Sequence, residues 1–187
     1  MMEKLKLCDI KKPINIHIQK GISMDLNDFV DDTYGDIIDY DVYLPSKEMN
    51  LQREFVWTLE QKQELIISVI KGIELSSISV IIYRDDINQK NRNQVVKIID
   101  GKQRVSTLIA FVKNEFPLTI NNINYYHNDL EDNIKSIFNH FWFRSDRVYE
   151  YPDRLIADED KIAWFEMINF SGTPQEKEHL NKLKIEK

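Results

Sequence analysis

The chain has 187 residues, of which 42% are hydrophobic and 30% charged, with five Gly, five Pro and a formal charge of −6. That length and apolar content suffice for one packed domain and exclude disorder, collagen-like repeats and a second large domain. No run approaches the roughly 20 apolar residues that span a bilayer and the start MMEKLKLCDIKK is polar, so no membrane association and a cytoplasmic location are expected, while the single Cys8 excludes an internal disulfide.

Net acidity opposes binding nucleic acid through overall charge. The charge is unevenly spread, however. Seven Asp and no Lys or Arg lie between Asp25 and Asp41, whereas Arg84 to Arg104 holds six basic residues against three acidic ones.

Ile14 to Ile18 alternates apolar and polar residues, which predicts a short strand. Ser23 then resembles an N-cap for a helix that turns Leu26, Phe29 and Val30 to one side. Tyr40 to Leu44 suits a strand ended by Pro45, followed by the loop Asn50 to Trp57. Thr58 and Gln61 form a capping-box pattern that opens a helix near 59–71, with Leu65, Ile66, Val69 and Ile70 as its apolar stripe and Gly72 as its stop.

Ser79 to Tyr83 and Val95 to Ile99 are β-rich and predict a hairpin around a long polar loop, 85–94. Asp100 to Arg104 follows at once and leads into helical spacing at Val105, Leu108, Ile109 and Val112, predicting a helix near 102–114. Asn121-Asn122 between Leu118–Ile120 and Ile123–Tyr125 predicts a tight hairpin. Leu130, Ile134, Ile137, Phe138 and Phe141 recur at helical spacing, Ile162 to Ile168 suggests another helix, and Thr173, Pro174 and Glu176 fit the start of a last one. The aromatic run Phe138, Phe141, Trp142, Phe143 is expected in the core.

The local pattern richest in chemistry is IIDGKQRVSTL, a buried strand released through Asp100-Gly101 into a helix. Glycine permits a sharp turn and close approach, and the first helical N–H groups form an anion site. Lys102 and Arg104 add positive charge there, Gln103 can donate to a phosphate or a base edge, and Asp100 can hold magnesium or polarise water. The same features also describe an ordinary strand-to-helix turn. Gln52-Arg53, in the loop before Trp57, forms a second polar pair, and Phe165 to Pro174 a helix-turn-helix corner. His17, His127, His140 and His179 have no ligand spacing.

LQREFVW, the helix ending in KG, the hairpin, IIDGKQRVSTL and FEMINFSGTP together resemble, in order and spacing, the N-terminal domain family of GmrSD-type modification-dependent restriction endonucleases. The resemblance covers roughly Ser23 to Leu183. Lys102 departs from the family's Asp-Gly-Gln-Gln-Arg pattern, and Leu51 stands where an aromatic usually precedes Gln-Arg.

The resemblance implies an α/β (α+β) fold with a ParB/sulfiredoxin-like core, a small mixed sheet and a helical C-terminal part. It divides the chain into an extension at 1–22, a nucleotide-binding core at 23–128 and a helical subdomain at 129–187. It further implies that the chain binds, with magnesium, and hydrolyses a nucleoside triphosphate in restriction or phage defence. Asp100, Gln103 and Arg104 would be catalytic, with Asp100 on the metal; Gln52, Arg53, Gly101, Lys102, Ser106 and Thr107 would bind nucleotide or phosphate. The HNH-type nuclease domain of larger members has no counterpart in this sequence, so DNA cleavage by this chain alone is not expected. The alternative is a non-catalytic module that binds DNA or a nuclease or defence partner.

Overall fold

The computed structural model describes residues 16–30, 37–84 and 94–170. In chain order its first elements are β1 (Gln19–Asp25), the single turn α1 (Asn27–Val30), β2 (Ile37–Asp39), β3 (Tyr43–Leu44), β4 (Met49–Asn50), α2 (Leu59–Ile70), β5 (Ile78–Arg84) and β6 (Gln94–Asp100). Then follow α3 (Lys102–Val112), β7 (Leu118–Ile120), β8 (Ile123–Tyr125), a 3₁₀ turn (His127–Asp129), α4 (Asp132–Asn139), β9 (Trp142–Glu150) and α5 (Asp158–Phe170). The five-stranded sheet runs β1-β9-β5-β6-β2 and is mixed, as expected: β5 pairs antiparallel with β6 and parallel with β9, and β2 pairs parallel with β6.

Strand alternation sends side chains to two cores. Ile78, Val80 and Ile82 of β5 with Val96 and Ile98 of β6 pack against Leu65, Ile66 and Val69 of α2 and Val105, Leu108 and Phe111 of α3. Ile81 and Ile99 face the other way, into Leu44, Leu51, Ile162, Trp164 and Phe165. Helices therefore cover both faces of β5 and β6, which explains why these strands read as continuous apolar runs rather than as alternation.

The local signals of α2 are realised. The Thr58 hydroxyl accepts from the Gln61 N–H, the Gln61 side chain accepts from the Thr58 N–H, and Gly72 takes φ 71° past the helix end. Asn121 and Asn122 take φ 51° and 63°, the left-handed pair required between β7 and β8.

Three expectations shift. The first strand begins at Gln19, beyond the alternating segment, of which residues 14 and 15 lie outside the described residues. Ser23 lies within that strand, opposite Arg144, and the short helical turn after it is capped instead by Asp25, whose Oδ1 accepts from the Asn27 N–H at 2.9 Å. The strand expected at 40–44 shrinks to Tyr43–Leu44, because the Asp39 carboxylate gathers the N–H groups of Asp41 and Val42 into a turn with Val42 at φ 52°.

Helices α4 and α5 fall in the C-terminal part where helices were expected. Between them, β9 enters the sheet beside β1 and β5. Phe138, Phe143 and Phe141 join the first core, but Trp142 is 56% exposed, contrary to expectation, where β9 begins opposite Asp25. The loop at 85–93 and the helix expected from Thr173 lie outside the described residues.

His127 is buried in T-shaped contact with Phe111 and Phe138, its Nε2 has no hydrogen-bond partner among the described residues, and burial together with Lys135 lowers its pKa from 6.5. Below that value the unfolded chain takes up a proton that the folded chain resists, so stability is retained above about pH 6.5 and falls as the pH drops through it. Denaturant midpoints measured between about pH 7.5 and 5 should fall for the wild type and fall less for His127→Phe. Equal slopes would show that His127 is not the responsible group.

Candidate functional site

The turn from β6 into α3 depends on Gly101. Its φ is 102°, and a Cβ there would lie 2.6 Å from Ile78 Cγ2 and 3.1 Å from Ile78 Cβ. Only glycine accepts both the left-handed backbone and the contact with β5. Gly101 is also the N-cap of α3 and offers no side chain, so among the described residues the first N–H groups of that helix have no N-cap side chain to bind. Such an end attracts anions.

Asp100 and Arg104 flank this turn and bind each other, with Nη2 to Oδ2 at 2.8 Å. The same guanidinium donates to the Ser76 carbonyl, to Ser76 Oγ at 2.7 Å and to the Ser77 carbonyl at 3.1 Å. Burial pulls the Arg104 pKa below its ordinary value, while the charge and hydrogen bond of Asp100 oppose that shift. Arg104 thus fastens the start of α3 to the segment that leads into β5, a structural task that the sequence pattern left open beside phosphate binding.

Gln52 and Gln103 join the second loop to the turn. β2 ends opposite Lys97, and among the described residues no strand continues along the rest of the β6 edge. The register of β5 and β6 shifts there, between Ser79 and Val80, and the buried Gln52 amide donates to the carbonyls of both Ile98, at 3.1 Å, and Ile99. A β-bulge is where two consecutive carbonyls can face one donor. From the helix side, Gln103 Oε1 accepts from the N–H groups of Val56 (3.2 Å) and Trp57 (3.3 Å), and its Nε2 donates to the Glu54 carbonyl (3.3 Å). Residues far apart in sequence therefore form one site.

Lys102, at 9% exposure, directs its ammonium to Asp41, 2.6 Å away. The Asp41 carbonyl accepts from the Gln52 N–H at 3.1 Å, so the β2–β3 turn belongs to the same assembly. Arg53 is half-buried beside Gln52. Ser106 donates back to the Lys102 carbonyl at 2.6 Å, and Thr107 is 1% exposed, its hydroxyl without a partner among the described residues. These last two are thus turned to the helix's own backbone and to the interior. Sequence reasoning missed Asp41, Ser76 and Ser77, which lie 61, 28 and 27 residues from the cations they meet.

Of the six basic residues from Arg84 to Arg104, the four that are described are all engaged. Lys97 pairs with Glu150 at 2.6 Å, Lys102 with Asp41 and Arg104 with Asp100, while Arg84 bonds Gln94 and lies 4.6 Å from the Tyr149 ring centroid. Among the described residues no group of three or more His, Cys, Asp or Glu gathers to hold a metal, and no helix is long and apolar enough to cross a membrane.

The family model described as GmrSD restriction endonuclease, N-terminal domain, matches residues 29–185. No curated protein and no solved structure matches the chain.

Gly101→Ala should lower stability by about 2 to 4 kcal/mol, combining left-handed strain with the Ile78 overlap. Arg104→Ala should cost about 2 kcal/mol, since it strips partners from Asp100 and two backbone carbonyls. Thermal or urea unfolding reads both, and a loss below about 0.5 kcal/mol for either would contradict the packing described.

Proposed function

The chain belongs to the family of GmrSD restriction endonuclease N-terminal domains, and on that premise we propose that its Asp100–Arg104 turn binds a nucleoside triphosphate and promotes hydrolysis. The fold around it is taken as ParB/sulfiredoxin-like, and the setting as restriction or phage defence. One observation carries the reading: Gln52 and Gln103 bind two distant loops around a helix N-terminus without a side-chain cap, with Lys102 at its first position.

In this reading the N–H groups at the start of α3 and the Lys102 ammonium hold phosphate oxygens. Arg104, fixed by Asp100 and Ser76, is a preorganised cation that neutralises charge developing on the transferred phosphoryl group, and Arg53 supplements it from the facing loop. Asp100 keeps Oδ2 on Arg104 and uses its remaining oxygen to orient water or to bind magnesium. With Asp100 as its carboxylate ligand, the metal fits as an ion delivered with the nucleotide, its other ligands being phosphate and water, an arrangement common for magnesium. That ion supplies charge neutralisation of the phosphates when bound.

The competing reading is a non-catalytic module that binds DNA or a nuclease or defence partner. It is favoured by the structural bonds of Arg104, and the pairing of Lys97 and Lys102 weakens its DNA form.

Calorimetry with a panel of nucleotides and modified DNAs, with and without magnesium, separates the two. A nucleoside triphosphate should bind with magnesium and be turned over. Arg104→Ala should weaken binding at least about tenfold, the loss expected of one charge-assisted contact. Because that variant is also less stable, Arg104→Lys is measured beside it, well below both melting temperatures. Wild-type protein that binds no nucleotide would overturn the proposal, and DNA binding in its place would establish the competing one.

A further inference from the structure

The Lys102–Asp41 pair is asymmetric. The lysine side chain is 10% exposed and the aspartate side chain 55%, with Nζ 2.6 Å from Oδ1. The ammonium sits on a buried stem at the first position of α3, whereas the carboxylate approaches it from the solvent side. An anion that pairs with that ammonium competes with the carboxylate now resting on it.

Asp41 is delivered there by its backbone. Its N–H donates to Asp39 Oδ1 at 3.0 Å, Val42 follows at φ 52°, and its carbonyl accepts from the N–H of Gln52. These main-chain bonds hold the turn whether or not the side chain stays on Lys102, so the carboxylate can swing into water while the fold remains in place.

We infer that Asp41 is a built-in competitor: its carboxylate occupies the position of a ligand phosphate oxygen on Lys102, and a nucleotide or other polyphosphate binds by displacing it. The inference rests on the reading of this turn as a phosphate site and adds its regulation. Apparent affinity is the intrinsic affinity multiplied by the fraction of molecules in which the pair is open. The competitor thus sets a threshold of ligand concentration, and anything that draws Asp41 away, such as a cationic partner or a divalent ion on the acidic turn, lowers that threshold.

Asp41→Asn keeps the shape and removes the charge. In calorimetry it should bind inorganic triphosphate and nucleoside triphosphates roughly fivefold or more tightly than wild type. The gain should vanish in a Lys102→Gln background, because a double-mutant cycle isolates the direct pair, while a general effect of removing one negative charge would persist. Without ligand, Lys102 in Asp41→Asn should react faster with an amine-acylating reagent, read by mass spectrometry.

If wild type binds triphosphate and Asp41→Asn binds no tighter, the competitor is refuted and the phosphate site stands. A gain that persists in Lys102→Gln also refutes it. If neither wild type nor Asp41→Asn binds triphosphate or any nucleotide, the site and the competitor fall together.

Discussion

Gly101 passes β5 so closely that Ile78 fills the space a side chain would need. That contact, with the left-handed backbone it requires, fixes where α3 starts and how it lies on the sheet. Everything polar at the site inherits its direction from this start. Asp100 is the last residue of β6 and Arg104 lies one helical turn later, so the two meet across the glycine. Gln103 and Lys102, on other sides of the same first turn, reach the loop at 54–57 and the turn at 39–42. A short run of sequence thereby organises three segments remote from one another.

The opposite face of the sheet is fastened by charge. Glu150 is fully buried and its carboxylate meets Lys97 at 2.6 Å, Lys161 at 3.7 Å and the Ile156 N–H at 3.0 Å. Lys161 in turn reaches Asp158, where burial alone would raise the carboxyl's pKa but the bonds from Ser46, together with Lys161, bring it below its ordinary value. A carboxylate so deep is tolerable only because cations and a backbone donor surround it. The network connects β6, β9, α5 and the β3–β4 connection, so the strand leading to Asp100 is braced from behind.

What the sequence disclosed followed from how local each signal is. Thr58 with Gln61, Gly72, and Asn121 with Asn122 act within a few residues, so their spacing alone defined a helix, its end and a hairpin. The apolar runs of β5 and β6 were legible because helices cover both of their faces. β9 was not, since two residues that the fold buries completely are Ser145 and Glu150, which in a pattern count as surface, and the aromatic residues before it prolonged a helical spacing. At the site, the loop of Gln52 and Arg53 and the Asp100–Arg104 turn, which the resemblance assigns to one pocket, lie side by side. The partners of the turn's cations were not legible, because Asp41 and Ser76 find Lys102 and Arg104 only after the sheet has formed.

The position of β9 governs the order in which the molecule can assemble. It lies between β1 and β5, pairing with both, although it follows them by more than a hundred and some sixty residues respectively. During synthesis the first strand must wait, its edge unsatisfied, until almost the whole described chain has left the ribosome. β5 and β6 can pair early as a hairpin, and α2 and α3 can settle on them, but the sheet closes only with late insertion of a strand through long loops. In the finished order β9, with β1 outside it, occupies the edge of β5 that the β5–β6 hairpin leaves free. Until those two strands are in place the β5 edge is bare, and a bare strand edge invites another chain.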